Sequence, residues 1–574
     1  MARPEKVRLG EILVQQKLLS EEQLQFSLGE QKRTGRKLGR VFVENGFVTE
    51  EQISGALAKQ LNIPYINLKF YNINPQTVRL LPETQARRFR AIALEDRGGT
   101  LLIGLADPTD LFAYDEISRS VKRNIELAVI NETELLQTID RIYRRTEEIT
   151  DFARELEQDL GDSAVDFGAL GTTAGLEEAP VVKLLQSVFD DAAQVRASDI
   201  HIEPQEGRLQ IRFRIDGVLH LQTEADIKIA PSLALRLKLM SGLDISEKRL
   251  PQDGRFAIKV KQQQLDVRIS TMPTQYGESV VMRLLSQSGG NLRLDSIGMP
   301  PQMLEKFRGV IHRPNGLILV TGPTGSGKTT TLYGALSELN TIERKVITVE
   351  DPVEYRLPGI NQVQVNEKIE LTFARVLRSA LRQDPDVVLV GEIRDRETAQ
   401  IALSAAMTGH LVLSTLHTND AVSTPVRLLD MGVPRFMVAS ALQAVMAQRL
   451  VRLICESCAT PYELKPTERE WLKSELKDTV DARHYLHGRG CSHCNGMGYM
   501  GRTGVYEMLE MTQEVVEAAN HHDPAHFVRT GQVQMGGRTL RRHAVGLVVA
   551  GKTTVAEAMR VSNQLDDSRT SPAV

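Results

Sequence analysis

The sequence predicts a multidomain α/β protein, and three observations support this fold class. The chain has 574 residues, and because a single hydrophobic core rarely grows beyond roughly 250 residues, we expect three or four domains. A repeated segment with helical character opens the chain. From about residue 291, short apolar strand runs alternate with helical stretches, a pattern typical of a buried, mostly parallel sheet covered by helices.

The N-terminal segment is an internal repeat, since residues 8–31 return 29 positions later as residues 37–60. In each copy a Ser or Thr stands three residues before a Gln, which is the capping-box pattern that starts a helix. Each copy therefore predicts a short helical hairpin, and a small α/β lobe completes a first domain over residues 1–148. The capping pairs are Ser20 with Gln23 and Thr49 with Gln52.

A linker and a second domain follow. We assign residues 149–178 to a flexible linker, because the stretch from residue 159 is rich in Gly, Ala and Asp without periodicity. Residues 179–290 predict an α+β domain, in which a helix precedes strands of alternating polarity that turn at Asp216-Gly217. Residues 291–574 form the third domain, which carries the chemistry.

The third domain begins with a strand, a glycine-rich loop and a helix, in the order required of a loop that binds nucleotide phosphates. Its glycines let backbone N–H groups surround phosphates, Lys328 reaches the β- and γ-phosphates, and the Thr329 hydroxyl suits Mg²⁺. The alternative is a glycine-rich turn without a ligand. The predicted Mg-ATP-binding residues, here called the phosphate loop, are Gly322, Pro323, Thr324, Gly325, Ser326, Gly327, Lys328, Thr329 and Thr330.

Two carboxylates and two histidines at strand ends are candidate catalytic residues. Glu392 follows the apolar strand DVVLV and suits a Mg²⁺ ligand or a water-orienting base, while Glu354 is a candidate general base. His410 and His417 flank one apolar strand and are candidate sensors of the γ-phosphate. The alternatives are surface acids that cap helices and histidines that only complete a core.

All four cysteines occur in two C-x-x-C pairs. Four thiolates with this spacing usually hold a structural zinc ion, and the alternative is four free thiols. We therefore predict a zinc subdomain over residues 450–505, inserted in the third domain. Its predicted ligands are Cys455, Cys458, Cys491 and Cys494.

Four blocks of the chain together resemble the ATPase superfamily that powers type II secretion and type IV pilus assembly. GPTGSGKTT is similar to its Walker A motif, ITVEDPVEY to its aspartate box, VLVGEIRD to its atypical Walker B motif and TGHLVLSTLHTN to its histidine box. The resemblance implies a PAS-like second domain, a RecA-like ATPase domain and a homohexameric ring with nucleotide between the two domains. It also implies that arginines of the second domain act as arginine fingers. The alternative is that these arginines only form salt bridges. The candidate arginines are Arg255, Arg268 and Arg283.

The repeat resembles the tandem motifs of a cyclic di-GMP-binding domain that some of these ATPases carry. The resemblance implies contacts to phosphate or guanine from nine residues, although Lys17 stands where the first motif usually has Gly and Lys37 replaces the usual Arg. The alternative is a helical module that only docks a partner. The implied residues are Arg8, Leu9, Gly10, Gln31, Lys37, Leu38, Gly39, Gln60 and Asp107.

Composition and charge limit where the protein can be located and which competing functions it can have. The net charge is −3 and aromatic residues make up 5% of the chain, which disfavours a RecA-like nucleic-acid translocase with basic, aromatic loops. No run approaches the ~18 apolar residues of a membrane span, and MARPEKVRLG contains no apolar signal core. We therefore expect no transmembrane segment and a cytoplasmic protein.

Across its whole length, including MARPEKVRLG and KRTGRKLGRVFVENGFVTEEQI, the chain most resembles the members of the superfamily that extend the mannose-sensitive haemagglutinin pilus. That resemblance implies a peripheral location at the inner membrane, a polytopic platform protein and a cytoplasmic recruitment protein as partners. The superfamily resemblance implies an ATP-hydrolysing motor that drives assembly of a pilus or pseudopilus. The alternative is a nucleotide-dependent scaffold that does not hydrolyse ATP.

Overall fold

The computed structural model describes residues 9–34, 38–143, 146–162, 180–260, 263–286 and 293–566. The chain divides into two compact units. The first comprises residues 1–196 with the short segments 455–459 and 488–498, and the second comprises the remaining residues. Among the described residues, no helix has the length and apolar character that crossing a bilayer requires.

The repeat folds as two helical hairpins, as predicted. Both capping boxes form: Gln23 N donates to Ser20 Oγ (3.2 Å), and Gln52 N donates to Thr49 Oγ1 (3.3 Å). The second helix of each hairpin therefore begins directly after its capping residue. The helices are α1 (Leu9–Gln15), α2 (Glu21–Thr34), α3 (Leu38–Glu44) and α4 (Glu50–Leu61).

The predicted α/β lobe contains a three-stranded sheet in the order β1-β2-β3, in which β1 is antiparallel and β3 parallel to β2. Apolar residues of these strands and of the surrounding helices form its buried core. The elements are α5 (Pro75–Val78), α6 (Glu83–Phe89), β1 (Ala91–Asp96), β2 (Thr100–Leu105), α7 (Leu111–Val121), β3 (Asn124–Val129) and α8 (Glu132–Ile142).

The prediction of a linker from residue 149 is wrong at its start, because residues 146–162 form helix α9 (Thr146–Asp162). Ile149, Ala153 and Leu156 recur at helical spacing and are buried, so the segment has an apolar stripe that requires a helix. The rest of the predicted linker, residues 163–178, lies outside the described residues. Helix α10 (Pro180–Gln194) falls within the first compact unit.

The second unit begins with a six-stranded antiparallel sheet in the order β6-β5-β4-β9-β8-β7. In β5 buried and less buried residues alternate, and the predicted turn forms at Asp216-Gly217, both with positive φ. This agrees with the predicted α+β character of the second domain. The elements are β4 (Asp199–Gln205), β5 (Arg208–Ile215), β6 (Val218–Asp226), α11 (Ala230–Ser241), β7 (Gln252–Val260), β8 (Gln263–Thr274) and β9 (Gly277–Ser286).

A seven-stranded sheet in the order β12-β11-β13-β14-β10-β15-β18 forms the core of the third domain. All its neighbouring pairs are parallel except β15 with β18, as the alternating sequence pattern predicted. Its first half contains α12 (Pro301–Ile311), β10 (Gly316–Thr321), α13 (Lys328–Leu339), β11 (Val346–Glu350), β12 (Asn361–Gln364), α14 (Phe373–Ala380), β13 (Val387–Val390), α15 (Arg396–Met407) and β14 (Leu411–Leu416).

The remaining elements include those around the cysteine pairs and the C-terminal helices, and apolar residues of the C-terminal helices pack on the sheet in one large cluster. They are α16 (Ser423–Asp430), α17 (Arg435–Ala441), β15 (Leu442–Ile454), β16 (Ala459–Tyr462), α18 (Pro466–Leu476), β17 (Tyr485–Gly488), β18 (Tyr499–Glu510), α19 (Gln513–Asn520), α20 (Pro524–Met535), α21 (Leu540–Val549) and α22 (Val555–Asp566).

Candidate functional site

Three neighbouring parallel strands place the candidate site at one edge of the large sheet. Strands β13, β14 and β10 lie side by side, and their carboxyl ends meet at the same edge. The phosphate loop follows β10, Glu392 follows β13 and His417 follows β14. The topology therefore brings together residues that lie far apart in the sequence.

The phosphate loop has the backbone that its glycines predict. Gly322, Gly325 and Gly327 all have positive φ, at 147°, 77° and 88°, a region that other residues enter only with strain. A Cβ atom on Gly322 would lie 2.5 Å from the carbonyl oxygen of Gln448, so no side chain fits there. Helix α13 begins at Lys328, so its N-terminal N–H groups and dipole face the loop and favour an anion.

Lys328 is the cation of the phosphate loop. Its Nζ donates hydrogen bonds to the carbonyl oxygens of Gly322 (2.8 Å) and Pro323 (3.1 Å). Burial lowers the pKa of Lys328 to about 8, an effect that Glu392 opposes and Arg449 reinforces. Lys328 and Glu392 thus interact electrostatically at the same edge of the sheet.

Glu392 lies between two possible partners beside the phosphate loop. Its carboxylate contacts the guanidinium of Arg394 and lies 3.4 Å from Nε2 of His417. The side chain of Glu392 is 17% exposed and that of His417 is 50% exposed, so His417 is not a core histidine. A carboxylate in this position suits either a Mg²⁺ ligand or a base for water.

His410, by contrast, lies at the other edge of the sheet. It precedes β14, and its backbone oxygen accepts a hydrogen bond from the N–H of Gly316 at the start of β10 (3.1 Å). Its Nδ1 contacts the carbonyl oxygen of Ala405 at 3.0 Å. Since the two strands are parallel, His410 is separated from the phosphate loop by the length of a strand. His410 therefore does not lie beside the phosphate loop of its own chain, and its role as a sensor of the γ-phosphate stays a prediction.

Glu354 pairs with an arginine of the antiparallel sheet. Arg268 Nη2 lies 3.1 Å from Glu354 Oε2 and donates to the carbonyl oxygen of Val353 (2.9 Å). The strand register places Arg268 directly opposite both Arg255 and Arg283. The three candidate arginines therefore form one row across β7, β8 and β9, in which Arg283 pairs with Asp199 (2.9 Å).

Sequence reasoning missed two buried polar residues beside the phosphate loop. Gln448 Nε2 donates to the carbonyl oxygen of Ser326 (2.7 Å), and Gln448 Oε1 accepts from the Thr331 hydroxyl (2.8 Å). Gln448 is 1% exposed and Arg449 is 2% exposed. The signal was available, because two polar residues interrupt the apolar run of strand β15, and buried polar residues are usually there to satisfy a specific partner.

The four cysteines form a cluster in which all sulfur atoms lie within 4.8 Å of one another. Adjacent Sγ–Sγ distances are 3.9 Å for Cys455–Cys491, 3.9 Å for Cys458–Cys494 and 3.8 Å for Cys491–Cys494. Tetrahedral coordination with Zn–S bonds of about 2.3 Å requires sulfur separations of about 3.8 Å. The four thiols thus fit a tetrahedral zinc ion.

The candidate cyclic di-GMP residues occupy matching positions in the two hairpins. Leu9-Gly10 and Leu38-Gly39 begin α1 and α3, while Gln31 and Gln60 lie in the last turns of α2 and α4. Arg8 and Lys37 lie outside the described residues. Asp107, on the loop after β2, accepts a hydrogen bond from the N–H of Thr109 (3.1 Å), so it also stabilises its own turn.

The glycines of the repeat also have a packing role. A Cβ atom on Gly10 would lie 2.5 Å from a methyl carbon of Leu24, whereas at Gly39 the nearest atom, on Ile53, would lie at 3.5 Å. Leu24 and Ile53 are equivalent positions of the two copies. In the first copy, therefore, Gly10 permits the two helices of the hairpin to approach closely.

Two protein-family models match different parts of the chain. A family model described as type II/IV secretion system protein matches residues 175–560, and one described as MshEN domain matches residues 61–149. The chain is 40% identical over 555 residues to the type IV pilus assembly ATPase PilB of Myxococcus xanthus, covering 96% of this chain and 98% of that protein.

Two further proteins are similar over different lengths. The chain is 42% identical over 499 residues to the type II secretion system ATPase E of Vibrio cholerae, covering 85% of this chain and 98% of that protein. A solved structure described as MshE with cdg is 39% identical and covers 24% of this chain and 99% of that chain, with a TM-score of 0.23.

Proposed function

Because the chain belongs to the type II/IV secretion system protein family, whose relatives include pilus assembly and type II secretion ATPases, we propose that it is an ATP-hydrolysing motor subunit. The motor drives assembly of a type IV pilus, of the mannose-sensitive haemagglutinin kind, or of a type II pseudopilus. The observation that carries this proposal is the convergence of the phosphate loop, Glu392 and His417 at one edge of a parallel sheet.

The residues of this edge have distinct proposed roles. The phosphate loop holds the phosphates of ATP through its backbone N–H groups and Lys328, and Thr329 is placed at the helix start to hold Mg²⁺. Bound Mg²⁺ neutralises charge on the phosphoryl group. Glu392 or Glu354 orients and deprotonates the attacking water. His417, which lies beside Glu392, responds to the γ-phosphate.

We propose a homohexameric ring in which the arginine row supplies cations to the phosphoryl group. A guanidinium delivered from another domain stabilises charge in the transition state and couples hydrolysis to domain movement. The row across β7, β8 and β9 supports this role, since it gathers three like charges in one place. The motor acts in the cytoplasm at the inner membrane, with a polytopic platform protein and a cytoplasmic recruitment protein as its partners.

Zinc and cyclic di-GMP complete the proposal. The cysteine cluster holds a structural zinc ion, which the sulfur distances support. The N-terminal hairpins bind cyclic di-GMP through both copies of the repeat and thereby regulate assembly. The matching positions of Gln31 and Gln60 support a ligand that is itself two-fold symmetric.

The catalytic proposal is tested by measuring steady-state ATP hydrolysis of the purified full chain and of Glu392→Gln. We expect kcat to fall by about 100-fold or more in this variant, because a positioned acid-base group contributes about 10²–10⁴-fold. The matched control is Glu370→Gln, which changes a carboxylate whose side chain is 90% exposed and should leave kcat unchanged. Assembly of fibres at the normal level by cells that carry only Glu392→Gln would refute the motor function and favour a nucleotide-dependent scaffold.

The regulatory proposal is tested by isothermal titration of cyclic di-GMP into the full chain. We expect binding to weaken by tenfold or more in Arg8→Ala, Gln31→Ala and Gln60→Ala, because each removes a polar contact to the ligand. The control Gln76→Ala changes an exposed glutamine of the same unit. Absence of binding to the unmodified chain would leave the repeat as a docking module for a partner.

A further inference from the structure

Strand β15 extends beyond the end of its neighbour β10 and continues alongside the phosphate loop. The two strands pair in parallel up to Thr321 and Ala447, after which the chain of β10 turns into the loop while β15 continues to Ile454. The next residue of β15 after Gln448 is Arg449, which is 2% exposed. A guanidinium is thus buried directly beside the phosphate loop.

The Arg449 guanidinium lies between the phosphate loop and the segment after β14, residues 417–421, here called the post-histidine loop. Its Nη2 donates to the carbonyl oxygen of Asn419 (2.7 Å), and its Nη1 donates to that of Gln448 (3.0 Å). A Cβ atom on Gly322 would lie 3.0 Å from Nη1. Arg449 therefore hydrogen-bonds to the post-histidine loop, and its guanidinium lies where a side chain at Gly322 of the phosphate loop would stand.

Among the residues that the structure describes, the charge of Arg449 has no direct counter-charge. Glu507 and Asp420 act on it only through space, without a hydrogen bond. Its Nε has no hydrogen-bond partner. A buried cation without a paired carboxylate is costly to a fold, so stability alone does not explain this arginine.

The post-histidine loop is held at two further points. The N–H of Thr418 donates to Thr321 Oγ1 (2.9 Å), and the N–H of Ala421 donates to Glu507 Oε1 (2.7 Å). Arg449 supplies the contact between these two, through the carbonyl oxygen of Asn419. The path of the loop from His417 onward thus depends on groups outside it.

We propose that Arg449 is a positioning residue that fixes the post-histidine loop against the phosphate loop and so keeps His417 beside Glu392 during hydrolysis. This inference rests on the proposed ATPase function of the same site. A fixed guanidinium fork suits the task, because it donates to two carbonyl oxygens at once and so holds the post-histidine loop to strand β15.

The test compares kcat for ATP hydrolysis with the dissociation constant for ADP in the full chain and in Arg449→Met. We expect kcat to fall by about tenfold or more, while ADP affinity changes by less than about threefold, because the phosphate loop itself is intact. In Arg449→Lys we expect kcat to fall by about threefold or more, since an ammonium keeps the charge without the fork. The matched control is Arg452→Met on the same strand, which breaks the ion pair with Glu557 (2.7 Å) outside the site and should change neither quantity.

Each outcome separates the inference from the proposed function. Absence of hydrolysis by the unmodified chain refutes the proposed function itself. Hydrolysis by the unmodified chain together with an unchanged kcat in Arg449→Met refutes only the positioning role. Equal losses of kcat and ADP affinity, or the same loss of kcat in Arg452→Met, also refute it. Should Arg449→Met fail to fold by circular dichroism, Arg449→Lys decides the question, and a normal kcat in that variant is the refuting result.

Discussion

Lys328 is expected to take up a proton when ADP binds near pH 8. Burial lowers its pKa to about 8, with Arg449 adding to the decrease and Glu392 opposing it. A phosphate group beside an ammonium favours the charged form. Binding of ADP should therefore raise the pKa of Lys328 again and draw a proton from the solvent.

The size of this uptake follows from the pKa of Lys328. At pH 8 about half of the Lys328 side chains are neutral before binding, so about 0.5 proton is taken up per ADP; the uptake rises to about 0.9 at pH 9 and falls below about 0.1 at pH 6.5. Because binding raises the pKa, the contribution of Lys328 to affinity is fully present below pH 8 and is lost above it. ADP affinity should fall by up to tenfold per pH unit above pH 8.

The assay is isothermal titration of ADP at pH 8 in two buffers whose ionisation enthalpies differ, since the difference in observed enthalpy gives the number of protons. Lys328→Arg is the matched control, because a guanidinium stays charged throughout this range and takes up no proton. An enthalpy that does not depend on the buffer, or the same dependence in Lys328→Arg, would show that Lys328 is already charged or that another group is responsible.

Three further predictions concern stability. Lys17 has a left-handed φ of 59° where the second copy of the repeat has Gly46. Measured by chemical denaturation, Lys17→Gly should therefore raise the free energy of unfolding by about 1 kcal/mol, and Gly46→Ala should lower it. An unchanged free energy of unfolding in Lys17→Gly would contradict this. A chelator should lower the melting temperature of the chain but not that of Cys494→Ser, which lacks one thiolate of the proposed zinc site; equal shifts would argue against zinc. Burial raises the pKa of Glu507 from 4.5 to about 7. Between these two pH values the folded chain holds a proton on Glu507 that the unfolded chain has lost. The resulting contribution to stability is fully present below about pH 4.5 and is lost as the pH rises to about 7. Glu507→Gln should flatten that decline in urea titrations at pH 5 and 7.5, and an unchanged slope would exclude Glu507 as its cause.

Features determined by neighbouring residues were predictable from the sequence. The capping pairs, for example Thr49 with Gln52, lie three residues apart, so the pattern itself places the helix start. The phosphate loop is equally local, since strand, glycines and helix are continuous in the chain. Helix α9 was also local, but the acidic and glycine-rich character of the following residues hid the stripe of Ile149, Ala153 and Leu156.

Features that depend on strand order and direction were not predictable in the same way. His410 and His417 flank the same strand, and both occur in one motif. The parallel pairing of β14 with β10 decides that His417 is at the edge with the phosphate loop and that His410 is not. The role of Gln448 likewise depends on which strand lies beside β10, a pairing between segments separated by more than a hundred residues.

The arginine row depends on strand register, so the sequence alone could not predict it. The sequence indicated Arg255, Arg268 and Arg283 one by one, but only the register of β7, β8 and β9 places them directly opposite one another. Like charges directly opposite one another destabilise a sheet. Arg283 is balanced by Asp199 and Arg268 by Glu354, whereas Arg255 is exposed and has no ion pair among the described residues. The arginine fingers proposed above give this third charge a role, since Arg255 is the member whose guanidinium no carboxylate among the described residues holds.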